Sequence, residues 1–186
     1  NTVSALIRVD SEQARRLLIQ LSNFFRSNLQ GARTNLIPLM KELMQVEAYR
    51  SLEQARFPDR YQVTIAVEEG LEEVLLPPFL IQILLENAFK HAFGSRKTDN
   101  RVWIDVRSSP DGVFISVRDN GEGIDTKRLE KLGKEAVPSL EGTGSALDNL
   151  NKRLTSLFGE SAKLHFVSSP TGTTVHCTVP YQERQG

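Results

Sequence analysis

Two pairs of alternating segments, each joined by a Pro-x-Gly turn, restrict this chain to folds that contain a β-sheet. The first pair is RVWIDVRSS (101–109) and GVFISVRD (112–119), and the second is AKLHFVSS (162–169) and TTVHCTVP (173–180). Proline presets φ and glycine accepts positive φ, so PDG and PTG are turn signals with a physical cause. The segment YQVTIAV (61–67) alternates in the same way. The sequence therefore predicts five strands.

Helical segments are predicted at 11–29, 36–57, 78–93 and 145–158, where apolar residues recur every three or four positions. In segment 78–93 the apolar residues form two adjacent rows, which make a wide face for packing on a sheet. The order of elements predicts an α+β fold, a two-layer α/β sandwich in which helices cover one face of a mixed sheet. We expect the helical segment before it, with residues 2–8, to belong to a hairpin that packs in a dimer bundle.

The composition is that of an ordinary folding domain, with 39% apolar residues, 25% charged residues and a formal net charge of zero among 186 residues. No overall basic field recruits nucleic acid or an anionic membrane. The single cysteine, Cys177, excludes an internal disulfide and favours a reducing compartment. We expect Cys177 and Trp103 to be buried in the core, and His165 and His176 to have structural roles. The chain begins at Asn1 within a helical pattern, which indicates a fragment of a longer protein.

A polar stripe interrupts the helix LLENAFKHAF (84–93), where Glu86, Asn87, Lys90 and His91 share one side. Two interpretations remain open for this stripe. It forms a solvated face with an i,i+4 pair of Glu86 and Lys90, or it faces a ligand. An Asn amide oxygen can bind a hard cation, and Lys and His can meet phosphate oxygens, so the second interpretation is a Mg-phosphate site.

Two glycine-containing stretches could complete such a site. In VRDNGEGI (117–124) a strand leads directly into Asp-Asn-Gly-Glu-Gly, which is either a plain turn or a place where Asp119 accepts a hydrogen bond from an exocyclic amine such as adenine N6. Its spacing does not fit a calcium loop. In EGTGSALDNLNKRL (141–154) a Gly-Thr-Gly precedes a helix, which is either a linker or an anion site made by backbone N–H groups.

Taken in this order, the three stretches resemble the N, G1 and G2 boxes of the GHKL ATPase/kinase superfamily, whose domain has the Bergerat fold. The segment GTTVHCTVP (172–180) resembles the closing strand of that domain. The resemblance implies ATP and Mg²⁺ as ligands, with Asn87 as the Mg²⁺ ligand and Asp119 as the acceptor of the adenine amine. It implies that residues 125–143 form the lid over ATP. The further ATP-binding residues that it implies are Lys90, His91, Gly121, Gly123, Ile124, Gly142, Thr143, Gly144, Leu147 and Thr173.

Other segments are similar to the LytS/YehU/YpdA type of bacterial sensor histidine kinase, namely NTVSALIR, LSNFFRSNL, YRSLEQARF and NLNKRLTSLFG. In that family the phosphoacceptor histidine lies just before the position of Asn1, so it is expected outside this chain. The resemblance implies a protein-histidine kinase that transfers the ATP γ-phosphate to that histidine and then to a response regulator of the LytTR DNA-binding type. It also implies a homodimer, no direct contact with nucleic acid, and a cytoplasmic domain of an inner-membrane sensor that reaches the membrane only through upstream segments.

Two positions depart from the superfamily pattern. Ala146 stands where many relatives have a third glycine, which leaves open a degenerate module that binds nucleotide or a partner without phosphotransfer. Ile83 stands where hydrolysing members such as gyrase carry a glutamate. Glu86, the neighbour of Asn87, lies on another row, so transfer is favoured over hydrolysis. Glu86 is therefore a weak catalytic candidate. A pure dimerisation fragment is disfavoured by the intact Asn87, Asp119 and Gly144. The expected domains are a partial dimerisation hairpin (1–33), a connecting helix (34–60) and the ATP-binding domain (61–186).

Overall fold

The computed structural model of the chain describes residues 35–94, 98–125 and 143–182, together with Ser11, Glu12, Arg15 and Ile19, which lie in a helix. The side chains of residues 143–145 are not described. The predictions for the remainder of the hairpin and for residues 126–142 lie outside the described residues. The elements are β1 (Ile37–Pro38), α1 (Leu39–Arg56), β2 (Tyr61–Val67), β3 (Leu75–Leu76), α2 (Leu80–His91), β4 (Asn100–Ser109), β5 (Gly112–Asp119), α3 (Thr143–Phe158), a 3-10 helix (Glu160–Ala162), β6 (His165–Ser169) and β7 (Gly172–Val179).

The main sheet has five strands in the order β2-β4-β5-β7-β6. β2 and β4 are parallel, and α2 lies in the crossover between them, as a parallel pair requires. The other three pairings are antiparallel. The two Pro-x-Gly turns join β4 to β5 and β6 to β7. The prediction of a mixed sheet in an α+β fold is confirmed.

The core lies on one face of this sheet, because buried residues alternate with less buried ones throughout β7 and along much of β4 and β5. α2 and α3 cover that face with fully buried leucines such as Leu84 and Leu154. Cys177 is buried as predicted, and burial raises the pKa of its thiol to about 12. The prediction for Trp103 was wrong. Its place in the alternation puts it on the opposite face, where the Arg118 guanidinium lies 4.2 Å from the centre of its ring.

α1 packs on the same core as α2. Leu39 and Val46 of α1 are fully buried, and the ring of Tyr49 lies 6.0 Å from that of Phe89 in α2. α1 begins at Leu39, three residues later than the sequence predicts, because Ile37–Pro38 pairs with β3 in a small antiparallel sheet. Within the described part of the chain, no helix has the length and apolar character needed to cross a membrane.

Candidate functional site

Asp119 is the last residue of β5, and two backbone N–H groups fix the orientation of its carboxylate. Its Oδ1 accepts hydrogen bonds from the N–H of Gly121 at 2.8 Å and from the N–H of Thr173 at 3.1 Å. The residue is only 8% exposed. Thr173 reaches this position because β7 pairs directly with β5. The end of β5 and the start of β7 therefore lie at the same end of the sheet, where the Asp119 carboxylate is ordered and nearly buried.

The loop after Asp119 lies directly on the end of α2. The N–H of Glu122 donates to the carbonyl of Ala92 at 2.8 Å. A Cβ atom on Gly121 would lie 2.1 Å from that same carbonyl oxygen, so only glycine fits here. This contact joins the Asp119 loop to the helix that carries Asn87 and His91.

The second glycine of the loop lies against β6. Gly123 has a φ of +75°, and a Cβ atom there would lie 2.0 Å from the carbonyl oxygen of Ser169. The N–H of Ile124 donates to Ser168 Oγ at 2.8 Å, and this oxygen lies 3.0 Å from Thr173 Oγ1. Gly121, Gly123 and Ile124 of the motif 117–124 are therefore brought together with Thr173 of the closing strand around Asp119.

Ser168 forms hydrogen bonds to Ile124 and Thr173 and was not predicted from the sequence as a site residue. It stands opposite Thr173 in the β6–β7 register, so its hydroxyl reaches both Thr173 and the loop. The only signal in the sequence is the PTG turn, from which the register of this hairpin could have been counted.

The polar stripe of α2 divides between two neighbouring sides. Glu86 accepts a hydrogen bond from Gln82 Nε2 at 2.9 Å, and Lys90 Nζ lies 3.9 Å from it. Its charge also acts on Glu53 of α1. Burial raises the pKa of Glu53, the positive charge of Arg56 lowers it, and the negative charge of Glu86 raises it. Asn87 follows Glu86 and is rotated by about 100° around the helix. The ion-pair interpretation therefore describes Glu86 and Lys90, whereas Asn87 and His91, both half-buried, lie further round.

A metal at this site would depend on few protein ligands. Across residues 35–94, 98–125 and 143–182, no three His, Cys, Asp or Glu side chains are grouped so that they could hold an ion. Mg²⁺ commonly keeps several waters and binds one or two protein oxygens together with substrate phosphates. A single amide oxygen, such as that of Asn87, fits this mode of binding.

The third motif supplies the start of α3. This helix begins at Thr143 and includes Gly144, so the first backbone N–H groups of a 16-residue helix belong to this motif. Gly142 lies outside the described residues. Leu147 is 6% exposed and packs in the core cluster, so a contact with nucleotide would come in addition to that packing.

The fold and the comparisons with known proteins agree on the class of protein. The histidine kinase domain of the Erythrobacter litoralis EL346 blue-light activated histidine kinase has a TM-score of 0.57 at 20% identity, covering 95% of this chain and 85% of that one. The catalytic domain of the histidine kinase ThkA has a TM-score of 0.61 at 16% identity, covering 78% of this chain and 94% of that one. The α+β sandwich is thus the fold of histidine kinase catalytic domains.

Family models and sequence relatives are more specific. The model described as histidine kinase-, DNA gyrase B-, and HSP90-like ATPase matches residues 78–183, and the model described as histidine kinase matches residues 1–61. Sensor protein LytS of Staphylococcus epidermidis is 56% identical over 182 residues, which are 98% of this chain and 31% of that protein. Sensor histidine kinase/phosphatase LytS of Staphylococcus aureus is 53% identical over 186 residues, which are 100% of this chain and 32% of that protein.

The chain belongs to the histidine kinase-, DNA gyrase B-, and HSP90-like ATPase family and corresponds to the ATP-binding catalytic region of a sensor histidine kinase. It spans about a third of the length of the two relatives. The predicted family is therefore confirmed.

Proposed function

We propose that the chain binds Mg-ATP between α2, the Asp119 loop and the start of α3, and transfers the γ-phosphoryl group to a histidine upstream of Asn1. The observation that supports this most is the Asp119 carboxylate, which is nearly buried, held by two N–H groups and adjacent to a loop where only glycine fits. An acceptor that is already fixed at the end of a strand can bind an exocyclic amine without first being ordered. A mobile carboxylate on the surface would have to be ordered and to lose its bound water first.

Each motif has a separate role in this proposal. Asp119 accepts the adenine amine, and Thr173 lies beside it through the hydrogen bond to Asp119 Oδ1. Asn87 gives one oxygen to Mg²⁺, and Lys90 and His91 approach the phosphates from the last turn of α2. The first N–H groups of α3 receive phosphate oxygens. The other residues that we propose to line the nucleotide are Gly121, Gly123, Ile124, Gly142, Thr143, Gly144 and Leu147.

The reaction that we propose is transfer to a protein histidine, and not hydrolysis. In the transfer the bond between the γ-phosphorus and the bridging oxygen breaks, ADP leaves, and an imidazole nitrogen forms the new bond to phosphorus. Hydrolysis would require a base within reach of the attacking water. Position 83 of α2 is isoleucine, and Glu86 is engaged with Gln82 and Lys90, which supports transfer.

The partners follow from the same proposal. We propose that the whole protein is a homodimeric bacterial membrane sensor, with this region in the cytoplasm and with no direct contact to nucleic acid. Its phosphohistidine would supply a response regulator, of the LytTR type by family resemblance. The names of the relatives, sensor protein and sensor histidine kinase/phosphatase, support a sensor role.

The nucleotide site is tested by titrating the chain with a non-hydrolysable ATP analogue, with and without Mg²⁺. In Asp119→Asn the remaining carbonyl oxygen can still accept the two N–H groups, but an NH₂ group replaces the second acceptor. We expect this variant to lose about 100-fold or more in affinity, because a buried donor then faces the adenine amine. Asp105→Asn, on the exposed face of β4 beside Arg107, is the matched control and should bind normally. Equal affinity in all three proteins would contradict the site.

Phosphotransfer needs a separate test, because a degenerate module would also bind nucleotide. A longer protein that includes the upstream helix is incubated with ATP labelled at the γ-phosphate. Acid-labile label on a histidine, lost in the Asn87→Ala variant, is expected for a kinase. Nucleotide binding without such label would favour the degenerate module.

A further inference from the structure

We propose that Glu42 is a positioning residue that fixes α2, the helix that carries Asn87, against α1. The inference rests on the proposed nucleotide site, because Asn87 matters only if Mg-nucleotide binds there.

α2 starts without a capping side chain of its own. The first N–H groups of any helix lack partners within the helix, and Ser, Thr, Asp or Asn usually supplies an acceptor. Here the residue at that position is Phe79, in the left-handed region with a φ of 69°. Its ring cannot accept an N–H, and the first turn, Leu80–Ile83, contains no acidic residue. An acceptor must therefore come from elsewhere in the chain.

Glu42 of α1 supplies that acceptor. Its Oε1 accepts the N–H of Ile81 at 2.9 Å and that of Gln82 at 3.1 Å. Its Oε2 accepts the N–H of Phe79 at 2.8 Å. The residue is 0% exposed, so these bonds are shielded from water. One carboxylate thus binds three backbone donors at the positive end of the α2 dipole.

This contact bridges the two parts of the chain that belong to different family models. Glu42 lies in the region matched by the histidine kinase model, residues 1–61, and its three donors lie in the region matched by the ATPase model, residues 78–183. These hydrogen bonds therefore connect α1 to α2, the helix of the proposed nucleotide site. Asn87 is five residues beyond Gln82 on a continuous helix, or about 8 Å along its axis.

The test compares Glu42→Gln with Glu47→Gln in the 186-residue chain. The glutamine keeps the shape of Glu42 but replaces one acceptor oxygen with an NH₂ donor, so at least one of the three N–H groups loses its partner. Glu47 is the matched control, because it lies on the same helix, has a side chain 49% exposed and pairs with Arg50. An ADP or ATP analogue is titrated in Mg²⁺ and in EDTA.

We expect Glu42→Gln to weaken the affinity measured in Mg²⁺ by about tenfold, the effect of one lost hydrogen bond to a charged group. The affinity in EDTA should stay within about twofold, because Asp119 lies on β5 and not on α2. Hydrogen exchange supplies a readout without nucleotide. At least one of the amides of Phe79, Ile81 and Gln82 should exchange about tenfold faster in Glu42→Gln, and all three should be unchanged in Glu47→Gln.

The outcomes separate the two proposals. If the wild-type chain binds no nucleotide, the proposed function fails. Unchanged exchange at Phe79, Ile81 and Gln82 would also overturn the anchoring by Glu42. If the wild type shows Mg-dependent binding that Asn87→Ala removes, while Glu42→Gln binds normally, only the positioning role is overturned. An equal loss of affinity in Mg²⁺ and in EDTA, matching a loss of folded protein, would reduce Glu42 to a stabilising residue and overturn the inference.

Discussion

At the scale of single residues, the candidate site depends on a position that must lack a side chain. In Gly121→Ala the new Cβ would lie 2.1 Å from the carbonyl oxygen of Ala92, so the loop must move away from α2. We expect a loss of about 2 kcal/mol in the free energy of unfolding, as for other overpacked positions, and a loss of nucleotide affinity. Thermal unfolding and analogue titration measure the two effects.

The control for this substitution is Gly70→Ala. Gly70 has a φ of +88° and open space around its would-be Cβ, so alanine there costs about 1–2 kcal/mol through backbone strain alone. It should bind nucleotide normally despite a comparable loss of stability. A parallel loss of affinity in both variants would mean that general stability, and not the Gly121 contact, sets the affinity.

Ser168 is predicted to matter through its hydroxyl. Ser168→Ala removes the acceptor of the Ile124 N–H and the partner of Thr173, which should cost about 1–2 kcal/mol in the free energy of unfolding. Urea denaturation measures it. Ser169→Ala, at an exposed site on the same strand, should change stability by less than about 0.5 kcal/mol. Equal free energies of unfolding for the two variants would show that the hydrogen bonds of Ser168 do not stabilise the fold.

Whether a residue of the site could be predicted depends on how far it lies in sequence from the residues that it contacts. Asp119 and Gly121 could be predicted because both stand in one short motif. Glu42 could not, since it acts on a residue 39 positions away. For Ser168, the place opposite Thr173 could be counted from the turn, but the contact with Ile124, 44 positions away, could not. Trp103 was misassigned for a different reason, because a large aromatic on a strand is core only if its parity matches the buried face.

At the scale of elements, the contact between α1 and α2 should make stability depend on pH. Burial raises the pKa of Glu42 to about 7, against the N–H groups of Gln82, Phe79 and Ile81 and the positive charge of Arg153 on α3, all of which lower it. The ordinary pKa of a glutamate is 4.5. Between pH 4.5 and pH 7, Glu42 therefore keeps in the folded state a proton that it has lost in the unfolded state. Stability falls as pH rises through this range.

The Glu42→Gln variant isolates this effect. It has no proton to bind at position 42, so the free energy of unfolding of the wild type minus that of the variant should fall by about 3 kcal/mol between pH 4 and pH 7. Urea denaturation across that range measures the difference, which cancels the contributions of other carboxylates. A difference independent of pH would show that folding does not shift the pKa of Glu42.

A long strand could be predicted from the sequence, whereas the two-residue strands could not. β5 has the predicted bounds, 112–119, because eight alternating residues outweigh any local ambiguity. β1 and β3 were missed, since two residues each carry no period. Their pairing explains why α1 begins at Leu39, a boundary that depends on a partner almost 40 residues away.

At the scale of the whole molecule, the packing of α1 bears on where the folding unit begins. The expected division places residues 34–60 in a connecting helix and 61–186 in the ATP-binding domain. Leu39 and Val46 of α1 are nevertheless 0% exposed in the same core cluster as α2 and the sheet. We therefore propose that the unit able to fold alone begins near residue 35, and that residues 1–33 serve dimerisation.

Two truncated chains test this division. A chain of residues 35–186 should unfold cooperatively and bind the ATP analogue like the full chain, but should sediment as a monomer where the longer chain dimerises. A chain of residues 61–186 loses Glu42 and two fully buried side chains of α1, whose burial alone stabilises by about 3–6 kcal/mol. Because whole domains are stable by only about 5–15 kcal/mol, this shorter chain should show no cooperative thermal transition. Equal transition midpoints for the two truncated chains would place α1 outside the folding unit and leave the nucleotide domain independent of its upstream helix.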